Sequence, residues 1–293
     1  MSGYKKKAIF HLPGAFEQVK LYQFWFNFFN KNPHYLKDNV IIGSVYGSPG
    51  HAIWNGGRFI GGGLIMRGEL ENVRDFYNSQ NIPVRFTFSN SLIEEKHTYD
   101  TYCNNVLDLY ANGKNEILCN SSILDKYLRN KYVDKYKYIS STTKRIQQQD
   151  EQLKEINKDY YLTVIDYDFN KNFDFLKTIE NKNKCEILCN AVCISNCPNR
   201  KQHYESISYC QLNHCPEQLI NCPFQKRMFW EVKKSNNFVS VDDINHYLDM
   251  GFNNFKLEGR ILPLLELIEI LLYYLVKEEY IEEVRIRIHS AMQ

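Results

Sequence analysis

Short apolar runs ending in small or polar residues alternate along this chain with amphipathic stretches of helical period, the pattern of βα units built on a parallel sheet. Eight runs predict strands: Lys7–Leu12, Val40–Tyr46, Val84–Ser89, Glu116–Asn120, Tyr136–Ser140, Tyr161–Asp166, Glu186–Asn190 and Asn254–Leu257. Between them Phe16–Asn30, Glu69–Ser79, Asp100–Ala111, Ser122–Tyr132, Gln148–Asn157, Phe173–Glu180 and Val241–Met250 predict helices. Leu262–Lys277 is apolar on most faces and predicts a closing helix packed on the barrel. The sum is an α/β chain, a single (β/α)8 barrel domain of TIM type over residues 1–293, with a C-terminal helix and a cysteine-rich insertion at about 189–223. A barrel of about 250 residues accounts for nearly all of the length. One pentapeptide repeats: Glu116-Ile-Leu-Cys-Asn120 returns as Glu186-Ile-Leu-Cys-Asn190. The stretch Glu282–Gln293 carries no clear signal.

Composition narrows the function classes. Hydrophobic residues make up 44% of the chain, ample for a core, and 36 basic against 34 acidic side chains leave a formal charge of +2. No global field favours nucleic acid. The Lys-rich stretches Lys5–Lys7, Lys131–Lys144 and Lys226–Lys234 read as solvated surface. No apolar signal segment follows the first residues, and Ile261–Val276 is too short and too charged to span a bilayer. A cytoplasmic protein away from membranes is therefore expected.

In such a barrel the chemistry gathers at the C-terminal ends of the strands. Those positions hold His11, Tyr46, Ser89 with Asn90, Asn120, Ser140 to Thr143, Asp166 with Asp168, Asn190 with Cys193, and Glu258 with Arg260. Ser141 and Thr142 could bind a phosphate or carboxylate, or cap a helix. Gly47-Ser-Pro-Gly50 and Gly61-Gly-Gly63 bracket a glycine-dense loop in which Arg58 could take an anionic substrate. Neither a dinucleotide fingerprint nor a P-loop is present.

Six of the nine cysteines fall between Cys189 and Cys222. In a reducing compartment that density points to a metal rather than to disulfides. Cys193 and Cys197 follow the seventh strand, and Pro198 fits the first position of a helix continuing through Lys201–Ile207. A helix N-terminus favours thiolate. Cys210, Cys215 or Cys222 would supply further ligands, Cys222 first. Only Cys193-x3-Cys197 has zinc-like spacing, whereas an iron–sulfur cluster tolerates irregular spacing. Cys119, Cys185 and Cys189 read as core residues.

Asn190-Ala-Val-Cys193, Cys197-Pro-x-Arg200, a later cysteine, and the closing run Asn254-Phe-Lys-Leu-Glu-Gly-Arg260 resemble the peptidase U32 family. The resemblance implies a TIM-type barrel carrying a [4Fe-4S] cluster. It also implies oxygen-independent hydroxylation of RNA bases or a quinone precursor, with prephenate as oxygen source, rather than proteolysis. Carried onto this chain, Cys193, Cys197 and Cys222 match cluster-ligand positions, with Cys210 or Cys215 as a fourth. Without a fourth, one iron would stay open to a substrate. Glu258 and Arg260 match the closing motif; Arg260 would orient a carboxylate, and Glu258 or His11 would move a proton. The cysteines are closer together here than in the family, and its glycine- and arginine-rich stretch between them is missing. The expected partners are a small-molecule substrate or RNA and an electron donor or acceptor. The other reading of the same residues is a non-catalytic barrel with structural zinc, serving as an accessory subunit.

Overall fold

In the computed structural model, residues 3–57, 60–215, 228–260 and 262–293 are described. Eight parallel strands close into a barrel in sequence order: β1 (Gly3–Pro13), β2 (Asp38–Gly47), β3 (Val84–Phe88), β4 (Glu116–Cys119), β5 (Lys137–Ser140), β6 (Leu162–Val164), β7 (Cys185–Leu188) and β8 (Asn254–Lys256). Closure is made where β8 pairs with β1, Phe255 beside Phe10. The (β/α)8 barrel read from the alternation is the fold, and each of the eight predicted runs overlaps its strand.

Helices α1 (Val19–Lys31), α2 (Arg67–Ser79), α3 (Thr101–Tyr110), α4 (Ser122–Lys131), α5 (Gln149–Ile156) and α6 (Phe173–Thr178) follow the first six strands. After β7 come α7 (Arg200–Asn213), the single turn α8 (Phe229–Val232) and α9 (Val241–Met250); α10 (Leu264–Leu275) and α11 (Ile281–Met292) follow β8. Two boundaries differ from expectation. α7 begins at Arg200 after Asn199, so Pro198 stands outside it. The stretch Glu282–Gln293 is helical. Val284 and Ile288, four residues apart, bury one face, and Arg287 pairs with Glu283 on another.

Alternation along the strands sorts side chains into two cores. Phe10, Val45, Phe86, Ile117, Ile187 and Phe255 face outward into the helix layer, all fully buried. Each such side chain stabilises the fold by about 1.5–3 kcal/mol. The barrel interior is divided. One part is apolar, with Leu118, Ile139, Leu162 and Val164 in contact. The other is ionic: Arg85 donates to Glu116 at 2.7 Å, to Glu186 at 2.6 Å and to His11 Nδ1 at 2.9 Å.

That network explains the repeated pentapeptide. In each copy the Glu turns inward to Arg85, the Leu turns inward above it, and the Ile and Cys turn outward. The Asn then closes the strand's mouth end: Asn120 donates to Thr143 Oγ1, and Asn190 bridges to β8. Two strands reaching for one arginine converge on one sequence.

Candidate active site

The C-terminal ends of the strands enclose a cavity of about 530 Å³, counting space open to solvent. β2 supplies Tyr46, β3 Thr87 and Ser89, and β4 and β7 their paired leucines, Leu118 and Leu188. The segment after β5 adds Ser141, Thr142 and Thr143, and β8 with its continuation adds Lys256, Glu258 and Arg260. Ser141, Thr142, Glu258 and Arg260 were all expected here.

Glu258 is fixed by the strand beside it. Its backbone N–H donates to Asn190 Oδ1 at 2.7 Å, and Asn190 Nδ2 returns a bond to the Glu258 carbonyl at 2.8 Å. The carboxylate accepts the Val192 N–H at 3.1 Å. Asn190 thus clamps the ends of β7 and β8 together and does not line the cavity itself. Arg260 spreads a fork over Glu17 (2.7 and 3.0 Å) and Thr87 Oγ1 (2.7 Å). Ser141 caps its own turn by accepting the Thr143 N–H, and Thr142 donates to the Ile165 carbonyl. Lys256 lies 4.1 Å from the Tyr46 ring centre and 3.9 Å from Glu186, linking the cavity floor to the ionic core. Lys256, Thr87 and Glu17 escaped the sequence reading. Stepping back by two from Glu258 along the strand would have found Lys256.

His11 lies in the barrel interior and does not line the cavity. β1 runs on to Pro13, so His11 is an inward strand residue, only 2% exposed. Burial and then Arg85 push its pKa down to about 3, against Glu186, which acts to raise it. Arg85 can only donate, so His11 Nδ1 accepts and Nε2 carries the proton toward Asn254 and Glu186. Ser44 Oγ stands 2.8 Å from the same Nδ1. Ser44, His11 and Glu186 therefore resemble a hydrolytic triad. Ser44 has no exposed surface, however, and Arg85 holds the Glu186 carboxylate down at about 2 despite burial. The trio is a structural network.

The segment carrying Cys193 and Cys197 stands at the same end of the barrel. Cys193 packs against Tyr167, Leu188 and Ala191, and Leu188 is part of the cavity wall. Arg200 holds the loop down, donating to the Ile194 carbonyl at 2.6 Å and to Asp168 at 2.9 Å; Asp168 also accepts the Asn196 N–H. Arg145 completes the cluster with a 2.7 Å bond to Asp166. Its backbone is left-handed, at φ 58°.

From there α7 does not pack on the barrel's outside. Tyr204 meets Tyr167 after β6, Ser208 meets Asn90 after β3, and Gln211 bonds Gly50 and Ala52 after β2. The helix crosses the mouth, and that crossing corrects one expectation. Cys210 lies ten residues along α7 from Arg200, about 15 Å at 1.5 Å per residue, and Cys215 lies beyond it. Cys215 stands across the mouth from Cys193 and Cys197 and cannot share one cluster with them. Cys222 and Arg58 lie outside the described residues.

The donor chemistry fits an iron–sulfur cluster as far as two ligands, Cys193 half-buried and Cys197 buried, both on the segment that follows β7. Among the described residues no three ligand-type side chains stand in coordinating geometry. Cys119 and Cys185 are core residues whose thiols burial pushes up to about 12, and Cys103 and Cys189 are raised further.

A solved structure of a U32 peptidase superimposes with a TM-score of 0.50 at 12% identity, over 88% of this chain and 95% of that one. The fold is that of a U32 peptidase. An uncharacterized protease of Methanocaldococcus jannaschii is 27% identical over 116 residues, 36% of this chain and 34% of that one. The chain thus matches about a third of that curated relative's length. No family model matches. The resemblance of this U32-like barrel, read from its cysteine segment and closing Glu-Gly-Arg, is borne out. No helix among its described residues is long and apolar enough to cross a membrane.

Proposed function

We propose that this U32-like barrel is an iron–sulfur enzyme acting without oxygen, by hydroxylation or a related redox or Lewis-acid modification. Its substrate is a small molecule or a single RNA base, and an electron-transfer partner serves it. The observation carrying this reading is the packing of Cys193 against the cluster of Tyr167, Leu188 and Ala191, because Leu188 is part of the wall of the cavity that Glu258 and Arg260 line. Cys193, Cys197 and Cys222 would hold the group, which would supply an electron or a Lewis-acidic position when bound.

The chain's own residues do the rest. Arg260, held by Glu17 and Thr87, places a guanidinium on the cavity wall that attracts a carboxylate or phosphate. Glu258 holds or releases a proton at its carboxylate, with Val192 N–H fixing its orientation. Ser89, Ser141 and Thr143 offer hydroxyls. α7 lies across the mouth above them, bonded to the loops after β2, β3 and β6.

Anaerobic purification followed by iron and acid-labile sulfide analysis tests this. About four of each per chain is expected for a cubane, with loss of both in Cys193→Ala/Cys197→Ala. Iron and sulfide absent from cells grown and opened without oxygen would overturn the proposal.

A further inference from the structure

The glycine-dense loop after β2 and the far end of α7 meet in a second cavity, of about 560 Å³ counting space open to solvent. Four side chains of metal-binding type line it: His51 from the loop, and Cys210, His214 and Cys215 from the helix end. None of them takes part in the function proposed above.

Their arrangement has a local cause. Cys210 stands in the last turn of α7 and His214 is the residue just past its end. The Cys215 N–H donates to the Cys210 carbonyl at 3.1 Å, and the two thiols are hydrogen-bonded to each other. His214 ends the helix in the left-handed conformation at φ 50°, where glycine is usual. Its imidazole stacks on that of His51, ring centres 4.3 Å apart and planes within 7°.

The loop is held against the helix to make this meeting. The Gln211 side chain donates to the Gly50 and Ala52 carbonyls and accepts the Gly61 N–H at 2.9 Å. Gly50 and Gly62 approach so closely that a Cβ at position 50 would overlap the Gly62 carbonyl. Only glycine allows the two ends of the loop to pack backbone against backbone and leave His51 facing the helix end.

We propose that Cys210, Cys215, His214 and His51 form a zinc-class metal site that fastens α7 across the barrel mouth. Two thiolates and two neutral imidazoles are the donor set of a closed tetrahedral structural site. Binding Zn²⁺ releases the two thiol protons and breaks the thiol–thiol hydrogen bond. It also draws the two exposed imidazoles out of their stack, because no three of these donors converge before the ion is present. The ion would tie one end of the strap to β2, while Arg200 and Asp168 tie the other to β6.

The test uses the full chain carrying Cys193→Ala/Cys197→Ala, so its outcome does not depend on the iron reading. Metal is removed with a chelator, and Co²⁺ alone, then Zn²⁺ alone, is titrated in under reducing, oxygen-free conditions. The expected result is one equivalent of cobalt with tetrahedral ligand-field bands and thiolate charge transfer, displaced by zinc. Cys210→Ser/Cys215→Ser should abolish it. His51→Ala, a change at an exposed loop position that leaves the core intact, should weaken binding by at least about a hundredfold while the thiolate bands persist. No cobalt or zinc uptake, a spectrum without thiolate character, or affinity unchanged by His51→Ala would each overturn the site.

Discussion

Arg85 is the residue whose removal should most clearly expose how the barrel interior is held. It has no exposed surface, and neither Glu116 nor Glu186 exceeds 2%. Arg85→Met keeps most of the volume but leaves two carboxylates in the interior without their common partner. Breaking a buried ion pair from one side costs about 3–5 kcal/mol, because the remaining charge is still desolvated. For a chain of this size that lowers the thermal midpoint by roughly 6–10 °C, at about 2 °C per kcal/mol. Denaturant unfolding followed by tryptophan fluorescence would measure it.

A pH series supplies the sharper check. In the native protein Glu186 is held at about 2, below its ordinary 4.5, so it contributes stability above 4.5 that is lost as pH falls toward 2. Without Arg85, burial raises its pKa instead, and the penalty fades as the carboxyl takes up a proton. The deficit of Arg85→Met should therefore shrink between neutral pH and about pH 5. Arg85→Met/Glu116→Leu/Glu186→Leu, which removes the charges together, should recover at least half of the loss. A cost under about 1 kcal/mol, or a deficit independent of pH, would refute this account.

Two other outcomes are expected. His11 sits at about 3 when folded against an ordinary 6.5. Between those values the unfolded chain binds a proton that the folded one refuses, so stability falls on acidification, by at most about 1.4 kcal/mol per pH unit from this group. His11→Gln should flatten the dependence of the unfolding midpoint on pH between 6.5 and 4. Asn190→Ala removes both bonds that clamp β7 to the Glu258 backbone. It should cost about 2–3 kcal/mol, read from chemical unfolding, and should lower iron retention because the Cys193 segment leaves β7 through this residue.

Much of the candidate site was legible because a barrel turns sequence position into spatial position. Once the strands were recognised, their C-terminal ends named Glu258, Arg260, Ser141 and Thr142 as neighbours at one mouth. His11 came out differently, since β1 continues two residues past it and the alternation turns it inward beneath the cavity. The cysteines were legible as a cluster in sequence but not in space. Spacing along a helix says which side chains share a face, not where the helix lies. α7 has buried polar residues in Arg200, Ser208 and Gln211 and no single apolar stripe. Its path over the mouth is therefore set by hydrogen bonds to three loops rather than by amphipathicity.

The sequence by itself determined the strands, most of the helices and the closed barrel, because the period of apolar residues is a local property and burial enforces it. It also carried the Glu-Ile-Leu-Cys-Asn repeat without its meaning. Only the tertiary structure decided that both glutamates reach one arginine, that Ser44, His11 and Glu186 are sealed inside, and that Cys193 and Cys215 stand at opposite ends of a strap. Those are distances between residues far apart in the chain, and they exist only once the barrel has closed.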